Sequence, residues 1–205
     1  MTSTQTPSPS PSPLPTPTPN PSPILVVGLG SPHGDDQAGW ITAEAVRSWI
    51  RQNTAPSEHI TIVCRTSPID LLHDLPMYST VFLCDCAKLS PQQPSTPNYF
   101  RITVPRPWTA ATLLRLFADN RIGTSSHGIQ LAQVLELAEI QGKFPGSEAV
   151  IYAIPGCQFS PMAVPTAATI HATTAAALQI LTDLGCNPGS SIGTTHPELG
   201  PALLR

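Results

Sequence analysis

Hydrophobic and polar positions along the chain alternate between two periods. Ile24 to Val27 form a short aliphatic run closed by Gly28 and Gly30, the pattern of a buried strand ending in a glycine turn. From Ala38 the apolar positions Ile41, Ala45, Val46 and Trp49 recur at helical spacing. His59–Arg65 reads as a second strand, Pro68–Leu75 as a short amphipathic helix, and Thr80–Asp85 as a third strand. Tyr99–Val104 alternates like a fourth strand at a sheet edge, and Glu148–Ile154 reads as a fifth. Thr109 caps a helix through Phe117, Ser125 or Ser126 a helix from about His127 to Gln141, and Pro165–Leu184 closes the domain as a long helix. Strands alternating with helices predict an α/β fold: a three-layer sandwich around an open, mostly parallel twisted sheet of about five strands.

The ends do not join this pattern. Proline occupies every odd position from Pro7 to Pro23, spaced mostly by Ser and Thr, so residues 1–23 are expected to form an extended, dispensable tail. That stretch has neither a basic start nor an apolar core, which argues against a secretory signal. A single domain is expected over residues 24–186, with a loose tail over 187–205 rich in Gly, Pro and Thr. The formal net charge of −3, with 11% charged residues, points to neither nucleic acid nor an anionic membrane as partner. No run approaches the length of a membrane span. Five cysteines without C-x-x-C spacing argue against a disulfide framework and read as small buried thiols: Cys64, Cys84, Cys86, Cys157 and Cys186.

Candidate chemistry concentrates where strands end, because ligands of open α/β sheets sit beyond the carboxyl ends of their strands. Gly28, Gly30 and Gly34 do not match the G-x-G-x-x-G dinucleotide spacing. Asp35 and Asp36 also place two negative charges where a phosphate would bind. The loop suits a cation instead. One aspartate is explained by helix capping, and Asp35 is assigned to that role, which leaves Asp36 as the functional candidate. Asp85, closing the third strand, would face the same crevice if strands one and three are neighbours. Cys84 and Cys86 flank it, and strand alternation turns them to the opposite face. His127, at a helix start, would be kept neutral by the dipole and able to bind a metal, though by itself it reads equally as a cap-region histidine.

The segment VVGLGSPHGDDQAG resembles the opening motif of the hydrogenase maturation proteases, G-x-G-N-P-x-x-G-D-[DE]-G-x-G. Further likeness comes from Ser126-His127 before a Leu-rich helix, from Ile154-Pro155-Gly156 and from the long last helix. In all it covers about Ile24 to Gly185. It implies a cytoplasmic endopeptidase that trims the C-terminal extension from the nickel-containing large subunit of a hydrogenase. It also implies that Asp36, Asp85 and His127 form the nickel-recognising site, with Asp36 and Asp85 serving catalysis and Gly28, Gly30, Gly34 and Asp35 shaping the loop. The nickel would be presented by the substrate precursor, with zinc or another divalent metal as the alternative. Two carboxylates and an imidazole are fitting ligands for either. The motif departs from the pattern in a loop one residue shorter, in Ser31 for Asn and Gln37 for Gly, and in an added His33, a candidate fourth ligand or a plain loop residue. A metal-dependent peptidase or amidohydrolase with another substrate, and a non-catalytic metal- or peptide-binding module, are the alternatives. No Ser-His or Cys-His pair for acyl transfer is evident from the sequence.

Overall fold

A computed structural model describes residues 22–53, 58–88, 98–120, 128–144, 146 and 148–188. Five strands, β1 (Ile24–Leu29), β2 (Ile60–Arg65), β3 (Thr80–Lys88), β4 (Phe100–Val104) and β5 (Glu148–Gly156), form one sheet in the order β2-β1-β3-β5-β4. All neighbours are parallel except the edge strand β4, which runs antiparallel to β5. The helices are α1 (Ala38–Gln52), α2 (Leu71–Asp74), α3 (Ala110–Asp119), α4 (Gly128–Ile140) and α5 (Ala167–Asp183). Short 3-10 turns extend α2 at both ends, over Pro68–Asp70 and Leu75–Met77.

Strand alternation divides the interior in two. Leu25, Val27, Leu83 and Ile151 point to the face covered by α2, α3 and α4, where they meet Leu71, Leu113 and Leu135. Val26, Phe82, Val150 and Tyr152 point to the other face, against Val46 and Ile50 of α1 and Ala176 and Ile180 of α5. The central strands β1, β3 and β5 therefore bury both faces, and their sequences read as nearly continuous apolar runs rather than a clean alternation. The edge strands differ: β2 is half-buried throughout, and in β4 exposed Arg101 and Thr103 alternate with buried Ile102 and Val104.

Two aspects of β3 differ from the sequence reading. The strand continues past Asp85 to Lys88, because β5 pairs with it as far as Gly156. Its pairing with β1 stops at Gly28 opposite Cys84. Asp85 is thus inside the strand but just past the part that β1 covers. The chain also enters the fold slightly earlier than expected, since the Pro23 carbonyl accepts the Ser79 N–H at 2.9 Å. Residues 1–21 and 189–205, the bulk of the two expected tails, lie outside the described residues. Among the described residues, no helix is long and apolar enough to cross a membrane.

Candidate functional site at the carboxyl edge of the sheet

Between β1 and α1 the chain makes a tight loop and a 3-10 turn, Gly34–Gln37, before α1 begins. Gly34 has φ +57°, a left-handed conformation in which a side chain would also strike the Gln158 carbonyl. Beyond it, Gly39 brings the first turn of α1 against backbone: a Cβ there would sit on the carbonyl oxygens of Leu29 and Cys84. That close approach seats the loop directly over the ends of β1 and β3.

Asp35 is fully buried, and its role differs from the expected cap. The position that would cap this turn is His33, and no side chain caps it. Asp35 instead reaches across to the loop between β5 and α5. Its carboxylate accepts the backbone N–H groups of Cys157 (2.8 Å), Gln158 (2.9 Å) and Thr166 (2.6 Å). Thr166 is itself the N-cap of α5, so Asp35 holds the start of that helix. Burial alone would push the Asp35 carboxyl up, but the N–H groups of Thr166, Cys157 and Gln158 together outweigh it and hold the group below the usual aspartate value. The same two loops are tied by Asp35 N–H to the Gln158 carbonyl (2.6 Å), Gly34 N–H to Ala163 (3.1 Å) and Met162 N–H to Pro32 (3.1 Å). Gln37 adds Nε2 to the Ala163 carbonyl at 3.2 Å. Sequence reasoning missed this clamp because its partners lie more than 120 residues away.

Asp36 is 4% exposed and Asp85 5% exposed. One Asp85 oxygen accepts the Cys86 N–H at 2.9 Å. Burial raises the Cys86 thiol, and the fields of Asp85, Asp36 and Asp35 raise it further. The negative charges that act on this thiol come from two elements, Asp35 and Asp36 on the 3-10 turn before α1 and Asp85 on β3. Cys84 and Cys86 belong to the interior under α1 and α5, opposite to Leu83 and Ala87, so alternation does turn them away from the Asp85 face. Of the five cysteines expected to be buried, Cys84 and Cys86 are, Cys64 and Cys186 are partly so, and Cys157 is exposed. Cys157 follows the end of β5 on the clamped loop, where its backbone N–H is bound by Asp35 and its thiol is raised by burial and by the same carboxylate.

The remaining candidates divide. Gly28 and Gly30 leave room for backbone, since a Cβ at either would sit on the carbonyl of Gly39 or Asp36. His33 turns its Nδ1 to the Ser31 hydroxyl, 2.6 Å away, and Ser31 also bonds Asp36. A Ser-His contact that the sequence did not reveal is therefore present. α4 begins at Gly128. His127, which precedes it in sequence, lies outside the described residues. Among the described residues, no three His, Cys, Asp or Glu side chains stand close enough to hold a metal ion. Asp36 and Asp85 are buried carboxylates carried by separate elements, the 3-10 turn before α1 and β3.

No protein-family model matches the sequence, and no curated protein matches it significantly. Solved structures do resemble it. The hydrogenase maturating endopeptidase HybD of E. coli aligns with TM-score 0.58 at 17% identity, over 80% of this chain and 92% of that one. An endopeptidase from Escherichia coli aligns with TM-score 0.59 at 20% identity, over 80% and 95%. The [NiFe] hydrogenase maturation protease HybD of Thermococcus kodakarensis gives 0.55 at 13% identity, over 79% and 98%. The protein thus has the α/β fold of the hydrogenase maturation endopeptidases, spanning nearly the whole length of each.

Proposed function

We propose that this protein is an endopeptidase of the hydrogenase maturation type, removing a C-terminal peptide from a nickel-loaded hydrogenase large-subunit precursor. The observation that carries the reading is the pair of buried carboxylates, Asp36 and Asp85, delivered by two elements to one edge of a sheet with this fold. The opening motif and the three structural neighbours named above support the same reading.

In this reading the nickel arrives as part of the substrate. Asp36 and Asp85 bind it, with His127 as the third ligand by the resemblance of its segment. Oxygen and imidazole donors suit nickel, and zinc or another divalent metal can take its place on the same donors. Anchoring the precursor by its ion fixes the peptide beyond it against the crevice, which lowers the entropy cost of hydrolysis. The precursor is the expected partner and the cytoplasm the expected compartment.

The test is processing of nickel-loaded precursor, read by product mass. Asp36→Ala and Asp85→Ala should each abolish the mass loss while the circular dichroism spectrum stays that of wild type. Full processing by both variants would remove the site assignment. Binding of the precursor by wild type without any mass loss would make the protein a binding module instead of a peptidase.

A further inference from the structure

The Ser31 hydroxyl joins two side chains of the loop. Its oxygen lies 2.6 Å from His33 Nδ1, and its proton goes to Asp36 Oδ2 in a short hydrogen bond. A hydroxyl has one proton to give, and here the carboxylate receives it. The imidazole must then be the other donor, so His33 carries a proton on Nδ1. The side chains form a directed chain: His33 Nδ1–H to Ser31 Oγ, and Ser31 Oγ–H to Asp36 Oδ2. Backbone bonds close the same turn, with His33 N–H to the Ser31 carbonyl at 2.8 Å and Asp36 N–H to the His33 carbonyl at 3.1 Å.

The direction of this chain separates it from a nucleophilic triad. There the imidazole takes the proton of the serine and a carboxylate stands behind the imidazole. Here the carboxylate touches the serine itself, and the imidazole donates. The order fits a different task, holding a carboxylate.

We infer that Ser31 and His33 are positioning residues for Asp36, fixing the plane of its carboxylate for the cation of the substrate. The inference rests on the cation site proposed above. The terminal torsion of an aspartate is soft, and its orientation is set by what binds its oxygens. Ser31 engages one oxygen and His33 holds Ser31 in the rotamer that does so. The Nδ1 of His33 is committed to this bond, which makes the imidazole a support for the ligand Asp36 rather than a chelator through that atom. Outer partners of this kind change metal affinity about 10–100-fold when removed.

The test uses the full chain and nickel chloride alone, with affinity read by calorimetry and precursor processing followed in parallel. Ser31→Ala should weaken nickel binding about tenfold or more. His33→Ala should weaken it less, and adding it to Ser31→Ala should cost nothing further, because the chain is already cut. Ser31→Thr keeps the hydroxyl and should restore affinity close to wild type, a rescue that a loss of loop structure would not show. Wild-type affinity in Ser31→Ala, or losses from the two residues that simply add, would overturn the inference while leaving the peptidase reading intact. A wild-type protein that neither takes up nickel nor processes the precursor would remove both. If it processes the precursor without binding free nickel, equal processing rates in Ser31→Ala and wild type would overturn the inference, and a tenfold slower Ser31→Ala restored by Ser31→Thr would uphold it.

Discussion

At the scale of single residues, two neighbours in sequence do unrelated work. Asp36 accepts the hydroxyl of nearby Ser31, whereas Asp35 spends its charge on three backbone N–H groups of a distant loop. That loop carries a strained residue. Met162 has φ +57°, unusual for a side chain that gains no help from the left-handed conformation. Its N–H bond to the Pro32 carbonyl keeps it there, while its side chain is 68% exposed. Glycine at this position would relieve the strain and forfeit little buried surface. Met162→Gly should therefore raise stability, by about 0.5–1 kcal/mol, although glycine also frees the unfolded chain. Urea denaturation decides it: an unchanged or lower midpoint would mean that the Met162 side chain contributes packing that outweighs the strain.

Among the elements, nearly every strand and helix was legible, because each segment is long enough to show its period and is bounded by Gly, Pro or a capping Thr. Thr109 does accept the Thr112 N–H as expected, whereas the cap of the last helix, Thr166 accepting the Thr169 N–H, was not singled out. Asp36 was legible as a candidate because capping could not explain two acids. Asp85 was legible because it interrupts an apolar run, though the extra residues of β3 were not, since they exist only through pairing with β5. The clamp of Asp35 was illegible for the same kind of reason: a carboxylate that bonds distant backbone leaves no local spacing. The contact of α1 with the sheet lies between these cases. Gly28 and Gly39 stood in the motif, but only the structure shows Gly28 packed against the Gly39 backbone and Gly39 against the backbone of Leu29 and Cys84. Gly39→Ala would push a methyl onto two carbonyl oxygens that cannot both retreat, a cost of about 3 kcal/mol at the upper end of overpacking. It should lower the urea midpoint and, by lifting the turn that bears Asp36, reduce processing as well. A stable and fully active Gly39→Ala would show that α1 can shift without disturbing the site.

Across the whole molecule, α5 is fastened by a carboxylate at each end. Asp35 holds its N-cap, Thr166. At the other end Asp183 receives the Tyr152 hydroxyl (2.5 Å), Arg101 Nε (2.8 Å) and Gln179 Nε2 (2.9 Å), joining the helix to β5 and β4. Burial alone would raise Asp183, but the bonds from Tyr152, Arg101 and Gln179 together hold it below the ordinary value of 3.8, as the backbone N–H groups do for Asp35. A carboxyl with a lower pKa in the folded state than in the unfolded state stabilises the fold fully above the unfolded value. That contribution is lost as pH falls through the folded one. Both fastenings therefore fail on the acid side, below about pH 4. The helix has 17 residues, so its two ends are about 25 Å apart and should act independently. Asp35→Asn and Asp183→Asn should each lower stability at pH 7 and shrink the loss between pH 7 and pH 3, and the double variant should show the sum. Asp183→Asn should leave the cleavage rate of the precursor unchanged, since its partners lie on β4, β5 and α5 rather than on the Asp36 loop. Urea unfolding at the two pH values checks this: an acid loss in the double variant as large as in wild type would place the acid sensitivity of the fold in other carboxylates.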